Sequence, residues 1–182
     1  MLIICLVPVI SMRLFAEEKA QGTIELLFTY PISDLNVLAG KYLAGLSVLV
    51  CMLAITAVLM VVMSFITEPD WGVVLASYLG MILMGAAILS LGVFASSLTK
   101  NQIIAATLTL GLVLGFWVAG WFASSSPDIP LRGFLQEVSL VSHQERFLKG
   151  MITVRDIVFY LCFSLFFLAI TLRILDSRRW RG

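Results

Sequence analysis

Four charged side chains stand close together in a chain that is only 13% charged: Glu17, Glu18, Lys19 and Glu25. They lie in the run Phe15-Ala-Glu-Glu-Lys-Ala-Gln-Gly-Thr-Ile-Glu-Leu-Leu-Phe-Thr-Tyr-Pro31, with apolar sequence on both sides. Carboxylates beside an apolar patch at Ile24, Leu27 and Phe28 are the chemistry of recognition, a greasy anchor with a charged rim. Catalysis finds no comparable support. Gly40-Lys41-Tyr42 lacks the upstream glycine and the hydroxyl residue of a phosphate loop, and no GxSxG or HExxH occurs. His143 is the single histidine, beside Gln144, Glu145 and Arg146, with no second metal ligand nearby. It is expected at a solvated surface, where it can titrate. Cys5, Cys51 and Cys162 lie in apolar segments without CxxC or Cys/His spacing and read as small hydrophobes. The chain is expected to dock rather than to catalyse, and to hold no metal or cofactor itself.

The elements that position these residues follow from composition. Hydrophobic residues make up 60% of the chain and charged residues 13%, about half the charge of a soluble domain. Charge-free stretches at Tyr42–Thr67, Trp71–Thr99, Gln102–Ser126 and Ile157–Leu172 match the roughly 20 residues needed to cross a ~30 Å hydrocarbon core. The fold class is therefore all-α, a polytopic transmembrane helix bundle, with expected spans at about 1–15, 42–67, 72–97, 102–123 and 156–175. The first is short and holds Pro8. A tilted helix, or one whose natural beginning lies upstream of Met1, is expected there. Nucleic acid is excluded as a partner, because no basic face exists.

Lys and Arg collect on the cytoplasmic side of membrane proteins. Placing the acidic run inside puts Arg13, Lys19, Lys41, Lys100 and the tail Arg173, Arg178, Arg179 and Arg181 inside as well, with Glu68-Pro-Asp70 outside. The C-terminus is then cytoplasmic, and Trp71 and Trp121 fall at the outer interface with Tyr42 and Trp180 at the inner one. Between residues 127 and 153, Ser124-Ser-Ser-Pro-Asp-Ile-Pro130 reads as a break. Leu131, Phe134, Leu135, Val138 and Val141 then recur at helical spacing. Phe147, Leu148, Met151 and Ile152 follow the polar Ser142-His-Gln-Glu-Arg146. Short outer helices, dipping into the leaflet and packed on the bundle, satisfy both patterns.

Over residues 17–30 an amphipathic helix is expected outside the bilayer. Glu17 and Glu18 near its start complement the helix dipole, and Gly22 allows close approach of another backbone. Pro31 ends the helix, and Ser33 can cap the next. An amphipathic helix resting on lipid is usually basic on its polar face; this one is acidic, which favours a protein partner. Gly111 and Gly115 form a GxxxG within a span, where small residues let helices approach. Both a dimer contact and packing inside one bundle fit it. The spans are expected to be free of ionisable groups, which argues against ion-coupled transport and leaves a path lined by groups such as Ser90, Ser96, Thr107 and Trp117.

Glu17-Glu-Lys-Ala-Gln-Gly-Thr-Ile-Glu-Leu-Leu-Phe-Thr-Tyr-Pro-Ile-Ser33 resembles the cytoplasmic coupling-helix motif of type 2 ABC export permeases: an acidic pair (Glu17, Glu18), Gly22-Thr23, Glu25, Leu26-Leu27 and a closing Pro31. The segments from Gly150 to Tyr160 and from Leu172 to Trp180 look like the end of the gliding-motility-type branch. The resemblance implies a permease subunit with no ATPase site of its own, and six helices with an extracytoplasmic re-entrant pair before the last. It also implies a separate cytoplasmic ABC ATPase carrying ATP and Mg, a second permease copy or a paralogous one, and a multi-pass location in the bacterial inner membrane. Glu17, Glu18, Gly22, Thr23, Ile24, Glu25, Leu27, Phe28 and Pro31 would form the ATPase-docking element. The alternative is a membrane scaffold that docks in the same way, anchors an envelope or motility complex and transports nothing.

Overall fold

The computed structural model describes residues 2–23, 33–125, 133 and 137–179. Among them are seven helices and no strand: α1 Leu2–Ser11, α2 Arg13–Gln21, α3 Asp34–Met63, α4 Trp71–Leu98, α5 Gln102–Ser125, α6 Leu140–Leu148 and α7 Val154–Arg179. Four are long and apolar enough to cross a membrane: α3, α4, the Gln102–Phe122 part of α5 and the Val154–Ser177 part of α7. The all-α polytopic bundle is thus the observed architecture. α1 has 10 residues, about 15 Å of helix, half of what a crossing needs. It ends at Ser11, and the N–H of Met12, the next residue, donates to the Pro8 carbonyl at 3.0 Å.

Side-chain caps set several starts. Ser33 Oγ accepts from Asn36 N at 3.4 Å, as its place before α3 implies. Asp70 Oδ1 accepts from Gly72 N at 3.0 Å and Val73 N at 3.4 Å. Asn101 Oδ1 accepts from Ile103 N at 2.9 Å. α3 starts in polar residues ahead of its apolar stretch, at Asp34 and not at Tyr42. Tyr42 itself lies within the bundle and donates to the Ala86 carbonyl at 3.1 Å, so it is no interfacial belt residue. Trp180 lies outside the described residues.

α4 packs against each of the other six helices. Its second half is buried on nearly every side: Ala87, Ile88, Leu89, Leu91 and Val93 have no exposed surface. Small residues make this possible. A Cβ at Gly80 would lie 2.6 Å from Phe147 Cβ, and one at Gly85 or Gly92 would overlap Leu49 or Ser11. A second, smaller cluster joins Phe15 of α2, Leu38 of α3, Val93 of α4 and Leu175 of α7. The start of α3, the ends of α4 and α7, and α2 therefore share one end of the bundle. Rings on α7 pack in sequence, Phe159 with Phe163 (centroids 5.9 Å apart) and Phe163 with Phe167 (4.9 Å).

Close packing predicts an asymmetry among glycine substitutions. Gly92→Val is expected to cost about 1–3 kcal/mol through overpacking. Gly40→Ala, with no atom within 4 Å of the added carbon, should be neutral or gain up to about 1 kcal/mol from helix propensity. Thermal unfolding in detergent measures both.

Candidate functional site

The expected docking element is divided by the structure. α2 begins at Arg13 and ends at Gly22, which takes the left-handed conformation (φ 72°, ψ 3°). Gly22 serves as a left-handed helix cap, and no atom of the described chain lies within 4 Å of a carbon added there. Glu17 and Glu18 consequently lie at the middle of α2 and not in its first turn, where the dipole argument needed them. Thr23 Oγ1 donates back to the Glu18 carbonyl at 3.3 Å. Ile24, Glu25, Leu27, Phe28 and Pro31 lie outside the described residues.

Nothing in the sequence of α2 announces how it is held in the fold. Ser96 of α4 has its hydroxyl at the start of α2. It accepts from Phe15 N at 3.0 Å and Ala16 N at 2.9 Å, and donates to the Met12 carbonyl at 3.2 Å. The residue at the cap position, Met12, makes no side-chain cap, so a serine from another helix supplies one. Lys19 is buried and its ammonium donates to the Ser97 carbonyl. Lys41 Nζ donates to the Leu14 carbonyl at 2.5 Å and pairs with Glu18 Oε1 at 2.5 Å. It also stands 4.8 Å from the Phe15 ring centre. Glu18, expected to meet basic residues of a partner, is thus held by a lysine of its own chain.

A second polar cluster lies at the opposite end. α6 carries Leu140, His143, Gln144 and Phe147 on its buried face. The polar run Ser142-His-Gln-Glu-Arg146 is therefore the body of this helix. The turn falls after it, at Gly150 (φ 77°), where Met151 N donates to the Arg146 carbonyl at 3.0 Å. His143 is 1% exposed, which corrects the expectation of a solvated position. Its ring stacks on Phe159 at 4.0 Å between centres. Nδ1 donates to the Ser139 carbonyl at 2.9 Å, which fixes the tautomer in the neutral ring. Nε2 has no hydrogen-bond partner and stands 3.8 Å from Asp156 Oδ1. Burial lowers the pKa of His143; the Ser139 carbonyl opposes this, Arg146 adds to it, and Asp156 and Glu137 oppose it.

Asp156, in the first turn of α7, has no exposed surface. Arg146 grips it through two nitrogens, with Nε at 3.1 and 2.9 Å from its oxygens and Nη2 also bonded. A carboxylate at a helix start is favoured by the dipole, and the fork geometry suits arginine. An ionisable group therefore sits at the edge of a span, one residue before the charge-free stretch that begins at Ile157. Tyr160 Oη donates to the Leu140 carbonyl at 2.7 Å, and Arg155 pairs with Glu137. A cavity of about 500 Å³ opens beside this cluster, lined by Trp117 and Trp121 of α5 and by His143, Glu145, Arg146 and Lys149.

The remaining candidates scatter. Ser90 and Ser96 are buried and bonded to backbone, so they line no open path. Thr107 is exposed on α5 and donates to the Ile103 carbonyl. Gly111 and Gly115 are exposed, with nothing within 4 Å of an added carbon; the described helices of this chain do not pack on them. No group of three or more His, Cys, Asp or Glu able to hold a metal occurs among the described residues.

Four long apolar helices, three of them packed on the central α4, define a multi-pass membrane protein. The family model of ABC-2 family transporter proteins matches residues 1–126. The chain belongs to that family: it is the membrane permease subunit of an ABC transporter, a class that works with an ABC ATPase. The match speaks for the type 2 permease and does not extend to the gliding-motility branch. No curated protein and no solved structure matches the chain.

Two outcomes follow from the α6–α7 cluster. Asp156→Ala leaves Arg146 without its partner and is expected to cost about 3 kcal/mol, read as a drop in melting temperature. His143 has a lowered folded pKa, so below about pH 6.5, the unfolded value, the unfolded chain binds more protons than the folded one. Stability is fully present above that pH and falls as pH drops through the window beneath it. His143→Gln should flatten this slope in melts between pH 7.5 and 5.

Proposed function

We propose that the chain couples ATP hydrolysis by a separate cytoplasmic ABC ATPase to substrate export. It would do so through α2 and the segment that continues from it. One observation carries this reading. α2 is seated at the end of the bundle where α3, α4 and α7 meet, and in sequence it runs directly into the apolar and acidic residues Ile24, Glu25, Leu27 and Phe28. ATP and Mg would be held by the partner, since no phosphate loop is found in the sequence. The end carrying α2, Lys41, Lys100 and Arg173 would be cytoplasmic by the positive-inside rule, with the C-terminus on the same side and the chain in the inner membrane. A second permease, identical or paralogous, would complete the path. The unpartnered face of α5 at Gly111 and Gly115 is where small residues permit such a contact.

Co-purification with the candidate ATPase tests the docking. The unmutated chain is expected to retain the ATPase, and Leu27→Asp or Glu25→Arg to lose it. Retention by both variants would remove the docking role from this segment. Hydrolysis stimulated by substrate in the reconstituted complex separates an exporter from a scaffold, which should give none.

A further inference from the structure

We propose that Ser96 is the positioning residue that makes α2 and the inner end of α4 move as one body, so that a displacement of the docking element reaches the centre of the bundle. This rests on the docking reading above.

The geometry is specific. The chain turns at Met12, and the N–H groups of Phe15 and Ala16 have to find an acceptor in a place without water. Ser96 is wholly buried and a single oxygen takes both, at 3.0 and 2.9 Å, while its own proton goes to Met12. Three bonds from one hydroxyl fix both the depth and the rotation of α2 on α4. One residue further on, the Ser97 carbonyl receives the Lys19 ammonium from the other end of α2. The two attachments lie along α2 like the two screws of a bracket. The other side of α2 is held by Lys41 of α3, the helix that follows the docking segment in sequence. A push on the segment after Gly22 would therefore be delivered to α4 through Ser96 and Ser97.

α4 is the helix against which all others pack, including α6 at the far end, where Gly80 meets Phe147 and Gln144. Rotation or tilt of α4 at Ser96 would be felt at that far end. A merely structural serine would hold α2 in place without this consequence, and the test has to separate the two.

The test uses the full chain with its ATPase in lipid nanodiscs, with Cys5, Cys51 and Cys162 replaced by alanine. Spin labels at Ala20 and Leu98, both exposed, report the distance between α2 and the inner end of α4. The unmutated chain should give one narrow distance, unchanged between the nucleotide-free and the vanadate-trapped ATP states. Ser96→Ala should bind the ATPase as before, yet broaden that distance and shift it on trapping. Amide exchange over residues 13–21 should rise about tenfold, as expected when a buried hydrogen bond is removed. Lys19→Met should give the same effect in weaker form, and Ser96→Thr, which keeps the hydroxyl, should restore the narrow distance. A distance in Ser96→Ala as narrow as in the unmutated chain, in both states, would overturn the inference and leave the docking reading intact. A distance that changes on trapping in the unmutated chain would overturn it too. Failure of the unmutated chain to bind the ATPase would overturn the docking reading and the inference with it.

Discussion

Backbone amides cannot be left without acceptors in the dry interior of a membrane protein, and the break between α1 and α2 creates two that need one. Ser96 supplies it. From that requirement follows the seat of α2 on α4, the burial of Phe15 beside Leu38, Val93 and Leu175, and the direction in which the chain leaves towards residue 24. An unsatisfied buried amide costs on the order of 1–3 kcal/mol. A serine that satisfies two therefore outweighs the weak intrinsic preference of this short helix, which has no cap of its own.

The same logic explains the opposite end. α6 is a short helix that presents a histidine to the interior; the Ser139 carbonyl takes its Nδ1 proton, the Phe159 ring stacks on it, and the Arg146–Asp156 pair lies beside it. Arginine and aspartate tie α6 to the first turn of α7, and Gly150 allows the tight turn that brings them together. Between the two ends runs α4, whose small residues let every other helix approach. Its composition fits a helix read from both ends: serines where it receives α2, glycines where α3, α1 and α6 cross it.

Much of this architecture is legible from residue order. Charge-free stretches of sufficient length mark α3, α4, α5 and α7, because a membrane tolerates few charges and demands about 20 apolar residues. Ser33 announces its own cap. The acidic run between apolar stretches, with Gly22 and Pro31, resembles the coupling-helix motif of the type 2 ABC permeases, and the family match over residues 1–126 agrees with it. Other features stay hidden for physical reasons. A serine that caps a distant helix looks like any small residue in a span, and its partners Phe15 and Ala16 contribute only backbone. Leu140, His143, Gln144 and Phe147 have helical spacing, but polar residues on the inner face mask the pattern that hydrophobicity would reveal. Lys41 and Glu18 are far apart in sequence, so nothing local marks them as partners. Gly22 lies in a stretch that reads as one helix from residue 17 to 30, and only its left-handed backbone shows that α2 stops there.

Everything proposed for this chain depends on α2 and the residues following it being the seat of the ATPase. Cryo-electron microscopy of the chain bound to its ATPase, in lipid, tests that most directly. The ATPase density is predicted against the end of α2, with Ile24, Leu27 and Phe28 in an apolar groove and Glu25 at its rim, while Ser96 still holds Phe15 and Ala16. Density seated elsewhere, on the tail beyond Arg173 or on the turn at Lys100, with residues 24–31 free of contact, would contradict it.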